Sequence, residues 1–515
     1  MREQLRIFKW LSLKSKYFVL YALVSILIFV GFRLLQDSSW FLGLFFFISS
    51  FLIIYIYSVS KSIPGKYLLP GVLLLILFQI YPSFYSGVVA FTNDSNGHQI
   101  SKTQAIEAII EDSRMPMAEI DPIFYVVLEK DSNQELSILF EYPKSNYWLA
   151  NADSHRKILI SDVSINSAGR IYDVIGFDVL TGTQIADRAV DLQNITVVMD
   201  DGISFSPIDF EFLEATKPSF VYSATKDQIT DLNSGNIYSP NDNGQMESRS
   251  GELLYPGWKT YVGFRNFTSV ISDKAIRAPL VAVLTWTIVN AFLVVFLSFI
   301  FGLVLALIFN SPHLRSKRIY RTIFITPLAI PNVLSVLVWA GLFTSGTGVI
   351  DRMLNTTTPW LTDPIWARVA VLIVELWLSF PYMFLITTGA IQSIPGEILE
   401  AASIDGASTF KSFTQIKLPL VIRTVGPLLV ASAAMALNNF GAIYLLTGGG
   451  PTFSNSNGNA GSTDILISYT YKLAFNSQEG NNYGLASALS ILNFLLIASI
   501  SIYSLKKIKS MEGVN

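Results

Sequence analysis

The sequence predicts a mostly α-helical membrane protein with eight spans and one inserted β-rich domain. Three observations lead to this fold class. Of the 515 residues, 51% are hydrophobic and only 14% are charged, whereas a soluble domain carries roughly 25% charged residues. Eight apolar runs are each long enough for the ~20 residues that cross a bilayer core. Between the third and fourth runs lies a polar stretch, 92–277, with the composition of a globular domain.

The first three runs lie in residues 1–91 and predict three N-terminal transmembrane helices. They cover about 17–35, 41–59 and 67–91. The first run follows a basic N-terminus, as in a signal peptide, but it is long and no small-x-small cleavage site follows it. We therefore expect a retained membrane anchor.

Residues 92–277 are expected to form one β-rich soluble domain. The stretch holds 27 acidic and 15 basic residues, and turn residues such as Asn-Ser-Gly separate its β-like runs. Those runs are PIFYVVLE, ELSILFEY, RKILISDVS, RIYDVIGFDVL and ITVVMD. A helix near Thr103–Asp112 is expected to open the domain, and Gly263–Asp273, reading GFRNFTSVISD, closes it.

The five remaining runs predict a helical core in residues 278–515. They cover about 279–309, 319–343, 367–393, 424–446 and 484–505. Pro327 and Pro331 are expected to kink the run 319–343, because proline interrupts the helical hydrogen-bond ladder.

Lysine and arginine fix the orientation of these spans. They concentrate at the N-terminus and in alternate connections, namely at Lys61 and Lys66, Arg315 to Arg321, Lys411 to Arg423, and Lys506 to Lys509. The positive-inside rule makes that side cytoplasmic. Both termini are then cytoplasmic, while the β-rich domain and the loop 447–483 lie outside.

A polar loop, 394–420, lies on the cytoplasmic side between two apolar runs. From Glu400 it reads EAASIDGASTFKSFTQIKLP. Glu and Ala favour a helix, Gly406 tolerates the positive φ that ends one, and Lys411–Leu418 predicts a second helix that Pro419 breaks. Such a helix-turn-helix can transmit force to a cytosolic partner. An ordinary solvated loop is the alternative.

Two stripes of side chains mark a candidate substrate site within the sixth and seventh runs. The first stripe is Glu375, Ser379 and Tyr382, with Leu378 beside it, and the second is Ser432, Met435, Ala436 and Asn439. An ionisable residue within a membrane points to a cavity, and hydroxyl, amide and carboxylate groups are those that bind sugars. Hydrogen bonding between helices is the alternative, since Ser and Asn serve that purpose in bundles.

The sequence contains no pattern typical of a catalytic site. It has no Gly-x4-Gly-Lys-Ser/Thr, no His-Glu-x2-His and no cysteine, so a nucleotide site or a thiolate metal site is not expected in this chain. No basic patch is arranged for nucleic acid. We predict a non-catalytic protein without metal or cofactor, which takes its energy from a partner ATPase or from an ion gradient.

The chain resembles the MalF-type permeases, the larger membrane subunits of maltose/maltodextrin ABC importers, over nearly its whole length. The motifs that carry this resemblance follow in the family's order: GFRNF, LWLSFPY (376–382), EAA (400–402) in the polar loop, NNF (438–440), LLTGGGP (445–451) and YTYKLAF (469–475). The large inserted domain distinguishes this type from six-span sugar permeases.

The resemblance implies a location, partners and residue roles. It implies the bacterial inner membrane with its lipid, a second permease subunit, two ATPase subunits below the membrane, and a periplasmic sugar-binding protein that contacts the inserted domain. It implies ATPase coupling through the polar loop at Glu400, Ala401, Ala402, Asp405 and Gly406. It also implies sugar contact by both stripes, which are Glu375, Leu378, Ser379 and Tyr382 together with Ser432, Met435, Ala436 and Asn439.

Three positions depart from the family pattern. Glu375 stands in place of an amide, Met435 in place of an aromatic residue, and Ala436 in place of a second amide. Loss of an aromatic platform and of a hydrogen-bond donor is expected to change sugar affinity or identity. An α-glucoside importer remains the favoured function, with another sugar as the alternative.

Two further functions compete with the importer. A secondary transporter could use Glu375 as a proton carrier, but the sequence lacks paired broken helices in matching halves. A sensory receptor with an outer domain would need a cytosolic signalling domain, and the cytosolic segments are short loops.

Overall fold

The computed structural model describes residues 2–37, 39–59, 63–130, 135–151, 154–166, 170–199, 202–311, 316–454, 456, 459–475 and 480–512. Lys61 and Arg315, used above for orientation, lie outside these residues. The chain divides into two compact units, Met1–Ala90 and Phe91–Asn515.

The first unit consists of apolar helices. They are α1 (Arg2–Gln36), α2 (Trp40–Ile54), α3 (Ile63–Leu75) and α4 (Tyr81–Val89). A π-helical turn extends α2 over Tyr55–Val59, and another joins α3 to α4 over Ile76–Ile80. Val24, Ile53 and Leu69 pack together and hold α1, α2 and α3 to each other. Many other apolar side chains of the unit are exposed, as expected of helices that face lipid.

The second unit begins with the β-rich region, whose described residues form three short α-helices and three sheets. The helices are α5 (Lys102–Asp112), α6 (Gly182–Asp187) and α7 (Ala189–Gln193). The strands are β1 (Arg114–Pro116), β2 (Ile123–Lys130), β3 (Glu135–Glu141), β4 (Tyr147–Ala150), β5 (His155–Ile158), β6 (Val163–Ile165), β7 (Ile171–Val174), β8 (Asp178–Val179), β9 (Val197–Val198), β10 (Ser204–Pro207), β11 (Phe212–Pro218), β12 (Phe220–Ser223), β13 (Gln228–Asp231), β14 (Ile237–Pro240), β15 (Met246–Ser248) and β16 (Leu253–Leu254).

The largest sheet is buried on both faces. Its strands follow the order β5-β4-β3-β2-β11-β10-β9, with β1 on β11 and β8 on β2. Successive side chains of a strand point to opposite faces, and both sets in β2 are apolar. Tyr125 and Val127 pack into one core, whereas Val126 and Leu128 pack into another.

The second sheet packs against the predicted opening helix. Its strands run in the order β12-β13-β14-β15-β16. Ala105, Ile106 and Ile109 of α5 pack against Ile229 and Tyr238 of this sheet. Ser101 and Gln104 form a capping box that begins α5. The predicted β-rich region and its opening helix are confirmed, and the five named β-like runs all contain strands.

The helical core follows the β-rich region. Its helices are α8 (Arg265–Ser272), α9 (Lys274–Phe309), α10 (Lys317–Ile325), α11 (Asn332–Leu342), α12 (Val349–Leu354), α13 (Pro364–Gln392), α14 (Gly396–Ile404), α15 (Thr409–Ser412), α16 (Leu418–Leu437), α17 (Phe440–Thr447), α18 (Leu466–Phe475) and α19 (Tyr483–Glu512). Among the described residues, seven helices are long and apolar enough to cross a membrane, and eight if one bent pair counts as a span. The predicted fold class is confirmed.

The bent pair is the predicted span 319–343. It divides into Lys317–Ala329 and Asn332–Leu342, which meet at 94°. Ile330 has an extended backbone, with φ −88° and ψ 130°, as steric contact with a following proline demands. Pro331 is the N-cap residue of α11, and as a proline it has no backbone N–H. The predicted kink lies at these prolines and is confirmed.

Two details of the seventh predicted span were wrong. The helix covers Thr409–Leu437 rather than 424–446, because the backbone breaks at Asn438 and Asn439 within an apolar run. Pro419 does not break a helix either. It lies in the first turn of α16, directly after a π-helical turn, Phe413–Lys417, and the helix continues through it.

Candidate functional site

Glu375 lies at the centre of a buried polar cluster formed by three helices. The side chain is 0% exposed. Its Oε2 accepts a hydrogen bond of 2.8 Å from Asn290 Nδ2 of α9, and its Oε1 accepts one of 2.7 Å from Asn439 Nδ2 at the start of α17. Both carboxyl oxygens therefore have a hydrogen-bond partner within the bundle.

The break between α16 and α17 is held from two sides. Asn439 bonds Glu375 of α13, and the neighbouring Asn438 accepts a hydrogen bond of 3.1 Å at its Oδ1 from Asn493 Nδ2 of α19. The Asn439 side chain does not cap α17, although asparagine favours that role. These amides connect the break to α13 and α19 instead.

The other predicted site residues differ in their surroundings. Met435 is 75% exposed and Tyr382 is 38% exposed, whereas Ala436 is only 8% exposed and packs beside Ala291 of α9. Ser432 is half-buried and donates to Leu428 O of its own helix at 2.9 Å. Leu378 and Ser379 are half-buried. The structure thus places Glu375 against Asn439, and it leaves Tyr382 and Met435 open to a further molecule.

The polar loop forms the predicted helix-turn-helix. Helix α14 ends where Gly406 adopts a φ of +77°, and two hydrogen bonds close the turn. Gly406 N–H donates to Ser403 O at 3.1 Å, and Ala407 N–H donates to Ala402 O at 2.9 Å. This pair of bonds defines a Schellman motif. Ser408 then caps α15 through Lys411 N–H at 3.3 Å.

The loop presents an exposed surface on a buried base. Of the five residues predicted to couple to an ATPase, Ala402 is buried, whereas Glu400, Ala401, Asp405 and Gly406 are exposed. Two large apolar side chains stand out beside them, Ile404 at 87% and Phe410 at 75% exposure. At the base, Leu399 and Phe413 pack against Val421. Ile404 and Phe410 therefore expose apolar surface next to four of the five predicted coupling residues.

A buried ion pair organises the loop that follows α17. Asp464 accepts hydrogen bonds of 2.7 Å from Lys472 Nζ, Ser468 Oγ and Gly461 N–H. Burial raises the pKa of the Asp464 carboxyl, and the Lys472 ammonium opposes that rise. Gly449, at φ +81°, passes so close that a Cβ would collide with this carboxylate.

Sequence reasoning missed the partners of these charged groups. Asn290 is a lone amide in the apolar run TIVNAFLVVF, and a polar residue in such a run was the available signal. Asp464 and Lys472 lie at i and i+8, outside the short range at which helical pairs can be inferred. No metal-binding group of His, Asp or Glu occurs among the described residues.

Comparisons with known proteins agree with this architecture. Residues 276–508 match the family described as binding-protein-dependent transport system inner membrane component. Residues 73–151 match the N-terminal region of transmembrane subunits in ABC transporters that depend on periplasmic binding proteins.

Relatives match along nearly the whole chain. The maltose/maltodextrin transport system permease protein MalF of Photorhabdus laumondii is 32% identical, and that of Salmonella typhimurium is 34% identical, each over 88% of both chains. A solved structure of a bacterial ABC transporter that imports alginate aligns at a TM-score of 0.42 and 23% identity, over 48% of this chain and 84% of that chain.

The relatives are membrane components of transporters, and the apolar helices described above are those of a multi-pass inner-membrane protein. Identity above 30% over 88% of the chain establishes the family. The chain belongs to the MalF-type permeases, within the binding-protein-dependent inner membrane components of ABC transporters.

Proposed function

We propose that this chain is the larger permease subunit of an ABC importer for maltose, maltodextrin or a related α-glucoside. One geometric observation supports the proposal most directly. The exposed polar loop joins α13 to α16, which carry the two polar stripes. Tyr382 lies only about 15 Å along the helix axis from the end of α13. A displacement of the loop therefore acts on both helices at once.

ATP hydrolysis belongs, in this proposal, to two partner ATPase subunits below the membrane, and the polar loop docks on the ATPase. The contact would be made by the predicted residues Glu400, Ala401, Ala402, Asp405 and Gly406. The exposed side chains of Ile404 and Phe410 beside them support such docking, because burial of large apolar side chains drives association. A second permease subunit completes the pathway across the membrane.

The sugar is proposed to contact both stripes. Tyr382 and Met435 are the exposed members, and Leu378, Ser379, Ser432, Ala436 and Asn439 are the others. Direct contact by Glu375 stays a prediction, since its side chain is 0% exposed and both of its oxygens already accept hydrogen bonds within the bundle. The position held by Met435 offers a flexible apolar surface in place of a flat aromatic ring.

The inserted domain, 92–277, is proposed to be periplasmic and to contact a sugar-binding protein. Residues 1–91 and 278–515 are then the N-terminal helices and the permease core, with both termini cytoplasmic. Support comes from an exposed apolar surface formed by Leu159, Ile160, Tyr172 and Ile175, which are 72%, 59%, 60% and 70% exposed. Ile175 N–H bonds Asp162 O at 3.1 Å, so these two segments lie side by side.

Reconstitution of the complete importer in proteoliposomes tests the proposal. The chain is combined with its ATPase, second permease and binding protein, and ATP hydrolysis is measured with and without maltose and maltotriose. We expect an α-glucoside to stimulate hydrolysis and to accumulate only when ATP is present. Accumulation driven by a proton gradient without ATP would show that a secondary transporter is the better description.

A further inference from the structure

We propose that Glu375 is a positioning residue that determines which atom of Asn439 faces the transported sugar. The inference rests on the proposed function, since it concerns the same site. It assigns to Glu375 a specificity role that needs no direct contact with substrate. Its basis is the pair of hydrogen bonds that the buried carboxylate accepts.

An ionised carboxylate only accepts hydrogen bonds. In its ionised form, Glu375 therefore requires both neighbouring amides to turn an NH2 group toward it, which is the orientation that the structure has. Asn290 Nδ2 lies 2.8 Å from Oε2, and Asn439 Nδ2 lies 2.7 Å from Oε1. The atom of Asn439 that remains for another molecule is its carbonyl oxygen Oδ1, which is an acceptor.

The two asparagines differ in what they can offer a ligand. Asn290 is 0% exposed, so it is enclosed by the bundle. Asn439 is half-buried and lies at the helix break, beside Ser432, Met435 and Ala436 of the second stripe. Among the described residues, the Asn439 side chain bonds only Glu375. Asn439 can therefore accept a hydrogen bond from a sugar hydroxyl at Oδ1.

An amide at position 375 would change which atom of Asn439 faces the sugar. Glutamine replaces one acceptor oxygen by an NH2 group, so one of the two asparagines must turn over to meet it. Within the described part of the chain, Asn290 Oδ1 already has no hydrogen-bond partner in this enclosed place. If Asn290 turned, the two N–H donors of its NH2 group would take the place of that oxygen and would be buried without a partner, which is costly. If Asn439 turned, its NH2 would reach the open side of the site. Asn439 is therefore the amide that turns, and it then presents a donor to the sugar.

Deoxyfluoro sugars distinguish an acceptor from a donor at this position. A sugar hydroxyl both donates and accepts, whereas fluorine at the same carbon cannot donate. The probe is uptake of labelled maltose into proteoliposomes that contain the complete importer, in competition with each monodeoxyfluoro maltose. All uptake values are normalised to assembled complex.

Four versions of the importer are compared. They are the wild type, Glu375→Gln, the exchange Glu375→Gln with Asn439→Asp, and the control Ser298→Ala. In the exchange, the introduced glutamine can accept from Asn290 and donate to the introduced aspartate, whose second oxygen again presents an acceptor to the sugar. Ser298 is also fully buried, but its hydroxyl bonds Val294 O of its own helix at 2.6 Å. Its removal tests the effect of losing any buried polar group.

In the wild type we expect at least one fluorinated position to weaken competition about tenfold, the size of one lost hydrogen bond. At that position the loss of competition caused by fluorine should fall to about threefold or less in Glu375→Gln. It should return to about tenfold in the exchange variant. Ser298→Ala should keep the wild-type profile.

Three outcomes would overturn the inference. The first is an identical fluorine profile in the wild type and Glu375→Gln, and the second is an exchange variant that follows the single variant. The third is failure of both Glu375→Gln and the exchange variant to assemble, since restored pairing should restore assembly. Absence of maltose uptake by the wild type would overturn the proposed function and this inference together, whereas uptake with an unchanged profile would overturn the inference alone.

Discussion

Gly406 offers a sharp test of coupling, because only its backbone conformation resists substitution. Its φ is +77°, and a Cβ added there would meet nothing within 4 Å. A side chain is therefore tolerated sterically but strained conformationally. An L-residue in the left-handed region costs roughly 1–2 kcal/mol, and a β-branched side chain adds further strain. Gly406→Val should thus shift the population of the turn about fivefold to thirtyfold away from the Schellman geometry.

The assay is co-purification of the ATPase subunits with the permease, together with sugar-stimulated ATP hydrolysis. We expect apparent affinity for the ATPase to fall by about the same factor, and Gly406→Asn to be milder because asparagine tolerates positive φ. Gly396 is the matched control. It begins the same helix, a Cβ there also meets nothing within 4 Å, and its φ lies outside the left-handed region.

If Gly406→Val kept the same ATPase association and the same stimulated hydrolysis as the control Gly396→Ala, the coupling role of this turn would be refuted. A loss of sugar recognition with normal ATPase association would also contradict it, since the loop contains no predicted sugar contact. Progressive loss in the order Asn, Ala, Val at position 406 would trace the effect to backbone strain.

Three further predictions concern other parts of the chain. Glu400→Lys should reduce ATPase co-purification while the fluorine profile of transported sugar stays constant, and loss of the profile alone would contradict this. Lys472→Ala should lower the unfolding free energy of the detergent-solubilised protein by about 3–5 kcal/mol, because it leaves Asp464 buried without its cation. The control Lys226→Ala removes an exposed lysine and should change the unfolding free energy by less than about 0.5 kcal/mol. Residues 92–277 expressed alone should give a β-type circular dichroism spectrum and a cooperative melt, and a mainly helical spectrum would refute an independent domain.

Local patterns in the sequence were sufficient to predict the fold class and several element boundaries. Apolar runs reveal spans because the bilayer core demands about 20 apolar residues in each. The bend before Pro331 follows from contacts between adjacent residues, and the end of α14 follows from the conformational freedom of Gly406. The motif order from GFRNF to YTYKLAF pointed to the correct family. These features depend on residues that are close together along the chain.

Hydropathy alone placed the seventh span wrongly. It treats 424–446 as one apolar run, although the helix ends at Leu437 and a new one starts at Phe440. The break is stabilised by partners that lie far away in sequence, Glu375 for Asn439 and Asn493 for Asn438. A window average cannot register hydrogen bonds between different helices.

The sequence by itself determined that Glu375 is an ionisable residue in a membrane span and therefore has a partner or a cavity. The tertiary structure decided between partners, because it places Asn290 and Asn439 on opposite oxygens of one buried carboxylate. Sequence spacing fixes which residues share one face of α13. It does not fix which faces of α9 and α17 pack against that face, since this depends on how side chains of several helices fill the space between them.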